Sequence, residues 1–228
     1  SQKVAALALP EIIINEQNTL NNKDLKIFSA WDEYLHSLNA YDKGSEAKNI
    51  EEKIKYSYEA IEHAEKSIAL DKNLTDAYNV LASCLVFLRL ESSLQHDREK
   101  NESRFREVSE KSYSLDPNNP DSVMNMAFLF RMSDDETKYR EFVNKAIEIN
   151  PHHSRSLHAK GMLNLKECDY DNAINLLNRA NESNRKGVPF YETMLLFCHL
   201  GKNDWLSANQ SVDRSMRDND HSRYHAFK

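Results

Sequence analysis

Residues that bend or break a backbone are scarce in this chain, which has only 4 glycines and 5 prolines among 228 residues. Collagen, flexible linkers and turn-rich all-β folds need far more of both, so the shortage favours an all-helical chain. It also removes the glycine-rich loops that cradle phosphates. The three cysteines, Cys84, Cys168 and Cys198, are odd in number and thinly spread. They make no disulfide frame and read as reduced core thiols of a reducing compartment, which points to the cytoplasm. Basic charge is not in excess either, because 30 Lys and Arg stand against 36 Asp and Glu for a net charge of −6. With no basic stripe, that sign excludes nucleic-acid binding over the whole surface. Long apolar runs are missing too. The longest stretch free of Asp, Glu, Lys, Arg and His is Ala77–Leu88, 12 residues, where a membrane span needs about 20. Val4–Leu9 is apolar after Lys3 but falls short of a signal-peptide core, which needs about 7 to 15 residues. The start therefore reads as a cut inside a longer protein.

Catalytic motifs are absent as well: the sequence has no G-x-S-x-G, no H-E-x-x-H, no C-x-x-C and no phosphate loop. His221 and His225 stand four apart, as a helical metal pair would, but at a chain end. His152, His153 and His158 surround the Pro151 turn without sharing one face, and read as a polar turn. The acidic run Asp134–Glu136 falls where a helix over 136–149 begins, so capping explains it without a metal. Neither a cofactor nor a metal is expected, and the chain reads as non-catalytic.

What the chain does contain is a 40% apolar share, enough for a core, and a period. Ala146-Ile-Glu-Ile-Asn-Pro151 lies 34 residues before Ala180-Asn-Glu-Ser-Asn-Arg185 and 34 after Ser112-Tyr-Ser-Leu-Asp-Pro117. A further 45 residues upstream stands Ser67-Ile-Ala-Leu-Asp-Lys72. Each stretch closes an apolar-periodic run with a small residue, aliphatics and then Asp or Asn before a breaker, a helix stop. A fixed period of this size decides the fold class.

The clearest copy, Ser154–Gly187, has Leu157, Gly161, the turn Cys168-Asp-Tyr-Asp-Asn-Ala173-Ile and Ala180, and closely resembles the tetratricopeptide repeat. Small residues at this spacing let two antiparallel helices approach, while the large ones between them fill the groove to the next pair. The expected fold is all-α, an α-α superhelix of about five helix hairpins near residues 28–74, 75–119, 120–153, 154–187 and 188–219, with the first two irregular. Tyr139 stands where a small residue is usual, so its hairpin is expected to splay; the turn opened by Gly201 is expected to carry one extra residue. The polar insertion Glu91–Ser103 should lengthen helices and loop at one rim, and residues 1–24 should form a helical segment packed on the array of residues 25–228.

The resemblance implies binding along the concave face formed by the first helices. On that face stand Asn79, Met124, Phe128, Arg131, Arg155, His158, Met162, Leu165, Glu192 and Leu196. Members that grip acidic chaperone tails use Lys and Asn at places held here by Asp32, Asn79, Met124, His158 and Glu192, and by His36, Ser83, Phe128, Met162 and Leu196, so that specificity is disfavoured. A Met and Phe floor suits an amphipathic helix, because thioethers repack around different shapes. The alternative is that neighbouring helices or the N-terminal segment bury these side chains. Val4–Glu16 and Ser29–Ser37 together resemble the junction that precedes the repeats of certain bacterial winged-helix transcriptional regulators and class III adenylate cyclases, with Ser37 where those relatives often have Gly. That resemblance implies a regulatory module whose partner is a protein or peptide or its own output domain, with a homodimer allowed, and with no membrane contact and no nucleic acid bound by this fragment. The competing expectation is a free-standing scaffold of a multi-subunit complex.

Overall fold

The computed structural model describes residues 22–47, 49–91, 97–183 and 189–218. Ten α-helices run through them: α1 Asn22–Glu46, α2 Ile50–Leu70, α3 Thr75–Leu90, α4 Arg98–Leu115, α5 Pro120–Met132, α6 Glu136–Ile149, α7 Ser154–Lys166, α8 Tyr170–Ser183, α9 Pro189–Gly201 and α10 Trp205–Asp218. No strand occurs among the described residues. Successive helices pair as hairpins, α1 with α2 through α9 with α10. The chain divides into two compact units, one ending at Leu115 with α1 to α4 and one beginning at Asp116 with α5 to α10. Residues 1–21 and 219–228, and with them most of the expected N-terminal segment and the His221/His225 pair, lie outside the described residues, as does 92–96 within the insertion.

In the first unit small residues bring long helices together. Ala30, Ala40, Ala60 and Ala64 are fully buried, and two serines at the same contact hydrogen-bond across it. Ser37 Oγ donates to the Ala60 carbonyl and Ser67 Oγ to the Ala30 carbonyl, both at 2.8 Å. A hydroxyl there costs little, because a buried polar group with its partner in place avoids the desolvation penalty. Asn49 caps α2 by accepting from the Glu52 amide at 2.8 Å. The downstream part of the insertion is helical: α4 starts at Arg98 and buries Asn101 and Phe105.

In the second unit one turn is used three times. Helices α5, α7 and α9 each end in a residue with left-handed backbone, Asp134 (φ 55°), Cys168 (φ 58°) and Asn203 (φ 58°). The following aspartate amides reach back to the helix ends at 2.9 Å: Asp135 to the Phe130 carbonyl, Asp169 to Asn164 and Asp204 to His199. This is the Schellman closure, which satisfies carbonyls that a helix end leaves open. Asp135 and Asp204 then cap the second helix of their hairpins, accepting from the Lys138 amide at 3.0 Å and the Ser207 amide at 3.1 Å. At 133–135 and 202–204 one aspartate thus stops one helix and starts the next; in the third three-residue turn, 167–169, the Asp169 carboxylate accepts from Asn172 Nδ2 at 2.7 Å. The α9–α10 turn has the same length as the others, so the extra residue expected there is not in the turn. Cys168 occupies the turn, as its place in the repeat implies, and is exposed, whereas Cys84 and Cys198 are buried.

Close approach in this unit centres on Gly161, where Leu177 of α8 leans on α7. Leu177 and Ala173 join Met194, Leu195 and Cys198 of α9 in one core cluster, with Met162, Leu165, Tyr170 and Ile174 packed on it. Burying a leucine of this kind contributes about 1.5 to 3 kcal/mol. The α5–α6 hairpin is not splayed: Tyr139 is buried, and the exposed Arg131 guanidinium lies 5.9 Å from its ring centre. A cation over the face of an aromatic ring is a favourable arrangement.

Candidate functional site

Within the second unit α5 contacts α7 and α7 contacts α9, so the three first helices present neighbouring faces. Phe128 and Arg131 come from the last turns of α5, with the guanidinium 5.7 Å from the Phe128 ring centre. His158, Met162 and Leu165 follow along α7 and Leu196 on α9; all four are half-buried, as Phe128 is. Met162 and Leu165 rest on the core cluster, so their positions are set by packing below and not by a ligand. Burial, aided by Arg131, pushes the His158 imidazole down to about 4, so it is neutral at physiological pH. Phe128, Met162, Leu165 and Leu196 thus give the face apolar side chains, with the exposed cation Arg131 beside them.

Other expected residues are used by the fold itself. Asn79 is buried in the first unit, where its Oδ1 accepts from Ser112 Oγ at 2.6 Å, and it is the only expected site residue of that unit. Met124 is 1% exposed and belongs to the core of the second unit. Glu192 is buried and its carboxylate pairs with the exposed Arg214, accepting from Arg214 Nε at 2.9 Å and from Asn181 Nδ2 at 3.2 Å. Arg155 points back to α5, donating from Nη1 to Asp121 Oδ1 at 2.8 Å and from Nη2 to Asn125 Oδ1 at 2.9 Å. His153 Nε2 lies 3.3 Å from the same Asp121 oxygen. Close packing alone would raise the Asp121 carboxyl, but His153 and Arg155 outweigh it and hold the group well below the usual carboxylate range. These four residues are a clamp between neighbouring hairpins, not a free binding surface.

No group of three metal-binding side chains occurs among the described residues. Burial raises the Cys84 thiol to about 12 and the Cys198 thiol to about 11, so both stay protonated and are poor nucleophiles.

Against solved structures the chain is similar to TTC0263, a tetratricopeptide protein of Thermus thermophilus, at 12% identity over 83% of this chain and 91% of that one, with a TM-score of 0.58. It is similar to Pseudomonas aeruginosa pilF at 14% identity over 89% of this chain and 80% of that one, with a TM-score of 0.57. The fold is of the tetratricopeptide type. A third similar structure is a chain of the APC/C hetero-tetramer Cut9-Hcn1, at 15% identity over 96% of this chain and 50% of that one, with a TM-score of 0.53. No family model matches the sequence, and no curated protein does. In the tetratricopeptide frame the face of Phe128, Arg131, His158, Met162, Leu165 and Leu196 is the first-helix face, and a separate pair of open clefts lies where second helices meet a first helix, among α6, α7 and α8 and among α8, α9 and α10. Those clefts escaped the sequence reading. The signal that could have found them is the recurrence of Asn144 at Asn178 and of Arg179 at Arg214, in step with the repeat.

Proposed function

We propose that the chain is a non-catalytic protein-interaction module whose second unit binds an apolar segment, in amphipathic helical form, on its first-helix face. The observation that carries this reading is the half-exposed row Phe128, His158, Met162 and Leu196 beside the exposed Arg131. Partial exposure of large side chains on adjoining helices is what a helix-in-groove partner needs. The neutral His158 keeps the floor apolar, and Arg131 selects a carboxylate at the edge of the bound segment. The setting we favour is a bacterial regulator of transcription, read from the resemblance of Val4–Glu16 and Ser29–Ser37 to such proteins. A second reading, a free-standing scaffold in the cytoplasm, is favoured by the likeness to a chain of the Cut9-Hcn1 hetero-tetramer.

The test is affinity capture with the full chain beside Phe128→Ala/Arg131→Ala, followed by titration of any purified partner. A partner lost by the double variant, with helical content unchanged, supports the reading. Equal binding by both proteins refutes it. A partner that is an output domain of the same polypeptide selects the regulator; a separate subunit selects the scaffold.

A further inference from the structure

In the second unit each hairpin stacks on the next through one joint, where the start of a second helix meets the last turn of the following first helix. Between α6 and α7 the joint is charged: Glu136 pairs with Lys166, and Arg140 with Glu167. Between α8 and α9 it is mixed. The Tyr170 ring lies so close on Gly201 that an added Cβ would overlap it, and beside it Asp171 pairs with Lys202. Helices α9 and α10 repeat α7 and α8 in length, each starting 35 residues later. Trp205 therefore stands in the place of Tyr170, and Leu206 in that of Asp171. No described helix sits on this third joint: Trp205 is 65% exposed and Leu206 72%. Phe197, in the place of Met162, is exposed at 45%.

The occupied joint one repeat upstream defines what the open one takes. Met162 and Tyr170 rest on a cluster to which α9 contributes Met194, Leu195 and Cys198, and Gly201 follows in the last turn of α9. The seated helix thus offers apolar residues at i, i+1 and i+4 and a glycine at i+7, all on one side of a helix. At the open joint Leu206 replaces the charge that Asp171 supplies, so the residue after the glycine must be apolar where α9 has Lys202. An array end left in water needs a polar outer face. Here that end carries Trp205, Leu206 and Phe197 instead, the mark of an interaction surface. The segments of this chain outside the described residues do not reproduce the pattern, because neither 1–21 nor 219–228 contains a glycine.

We propose that the last hairpin is an end-on docking site for an amphipathic helix of another protein that carries α9's face: two adjoining large apolar residues, a third one turn on, then a glycine with an apolar residue after it. That helix seats on Trp205, Leu206 and Phe197 as α9 seats on Tyr170, Asp171 and Met162. The surface lies at the end of the array and does not involve Phe128 or Arg131. The probe is the α9 sequence itself, a fluorescein-labelled, amidated peptide of residues 189–202, beside a second peptide carrying Lys202→Leu. Both are lactam-bridged, because an isolated helix this short is marginal. Anisotropy titrations use the full chain, Leu206→Asp and Trp205→Ala. Both substitutions fall at exposed positions, and an aspartate in a first turn suits a helix start. Wild type should bind the Lys202→Leu peptide about tenfold tighter than the unaltered one, and Leu206→Asp should reverse that preference. Trp205→Ala should weaken both by at least about tenfold, while Phe128→Ala/Arg131→Ala should change neither. Absence of saturable binding to wild type overturns the proposal. So does a preference for the unaltered peptide whatever stands at 206, since the peptide is then displacing α9 from its own seat. Binding that appears only when residues 219–228 are deleted gives the seat to the chain's own tail and overturns it too. A wild-type dimer that Trp205→Ala dissociates in sedimentation gives it to a second copy, with the same consequence.

Discussion

Replacing Gly161 with Leu tests the hairpin geometry on which the whole second unit depends. A Cβ added at Gly161 would lie 2.9 Å from Leu177 Cγ, 3.1 Å from its Cδ2 and 3.5 Å from the Ala173 carbonyl oxygen. The first distance is inside van der Waals contact, and Leu177 has nowhere to swing because it is fully buried. Removing glycine from a helix interior gains at most about 1 kcal/mol. Forcing extra methylenes into a filled core costs about 1 to 3 kcal/mol, and here four carbons enter where one already overlaps. Gly161→Leu should therefore destabilise by about 1 to 2 kcal/mol net, read as a lowered urea midpoint by far-ultraviolet circular dichroism. Leu177→Ala alone should cost about 2 to 5 kcal/mol through its cavity. Combined, the new leucine fills the space the old one leaves, so the double variant should lose at least about 1 kcal/mol less than the sum of the singles. Wild-type stability for Gly161→Leu, or strict additivity, would refute the close approach.

Cys168→Gly should stabilise by about 1 kcal/mol, seen as a raised melting temperature, because the φ of 58° strains any side chain that is not glycine or asparagine. Asp121 has a lowered carboxyl, so its contribution to stability is complete above its ordinary value of 3.8 and is lost as pH falls below it. Asp121→Asn should accordingly flatten the drop in melting temperature below about pH 4. His158 resists protonation in the fold but not when unfolded, so it costs stability as pH falls from 6.5 towards about 4. His158→Gln should flatten that window in the same melting series while leaving neutral-pH behaviour nearly unchanged. Met124→Glu should unfold the second unit, at a cost above about 4 kcal/mol for a carboxylate placed in the core.

The hairpins were legible in the sequence because close helix contact demands small side chains at fixed intervals. Gly161, Ala146 and Ala180 carry that signal through local spacing alone, and each is buried. The repeated use of aspartate in the turns is equally local: Asp135, Asp169 and Asp204 each follow a left-handed residue. The face of the candidate site was only partly legible. Periodicity puts a residue on a side of its helix, but it does not say what covers that side. Asn79 is covered through Ser112 and Glu192 through Arg214, partners 33 and 22 residues away whose meeting is tertiary. Arg155 looked like a ligand-binding cation and instead serves Asp121, a partner one repeat back. Tyr139 breaks the small-residue rule and is nevertheless buried, with Arg131 5.9 Å from its ring centre.

If the first-helix face is the binding surface, Met162 faces the partner while Met124 stays in the core. With all 6 methionines labelled at the methyl carbon, a titration of the full chain with its captured partner resolves the two by nuclear magnetic resonance. The Met162 methyl should shift to saturation with the binding curve, with Met124 moving little. A saturated complex in which the Met162 signal stays where it was would contradict the assignment of the first-helix face as the binding surface.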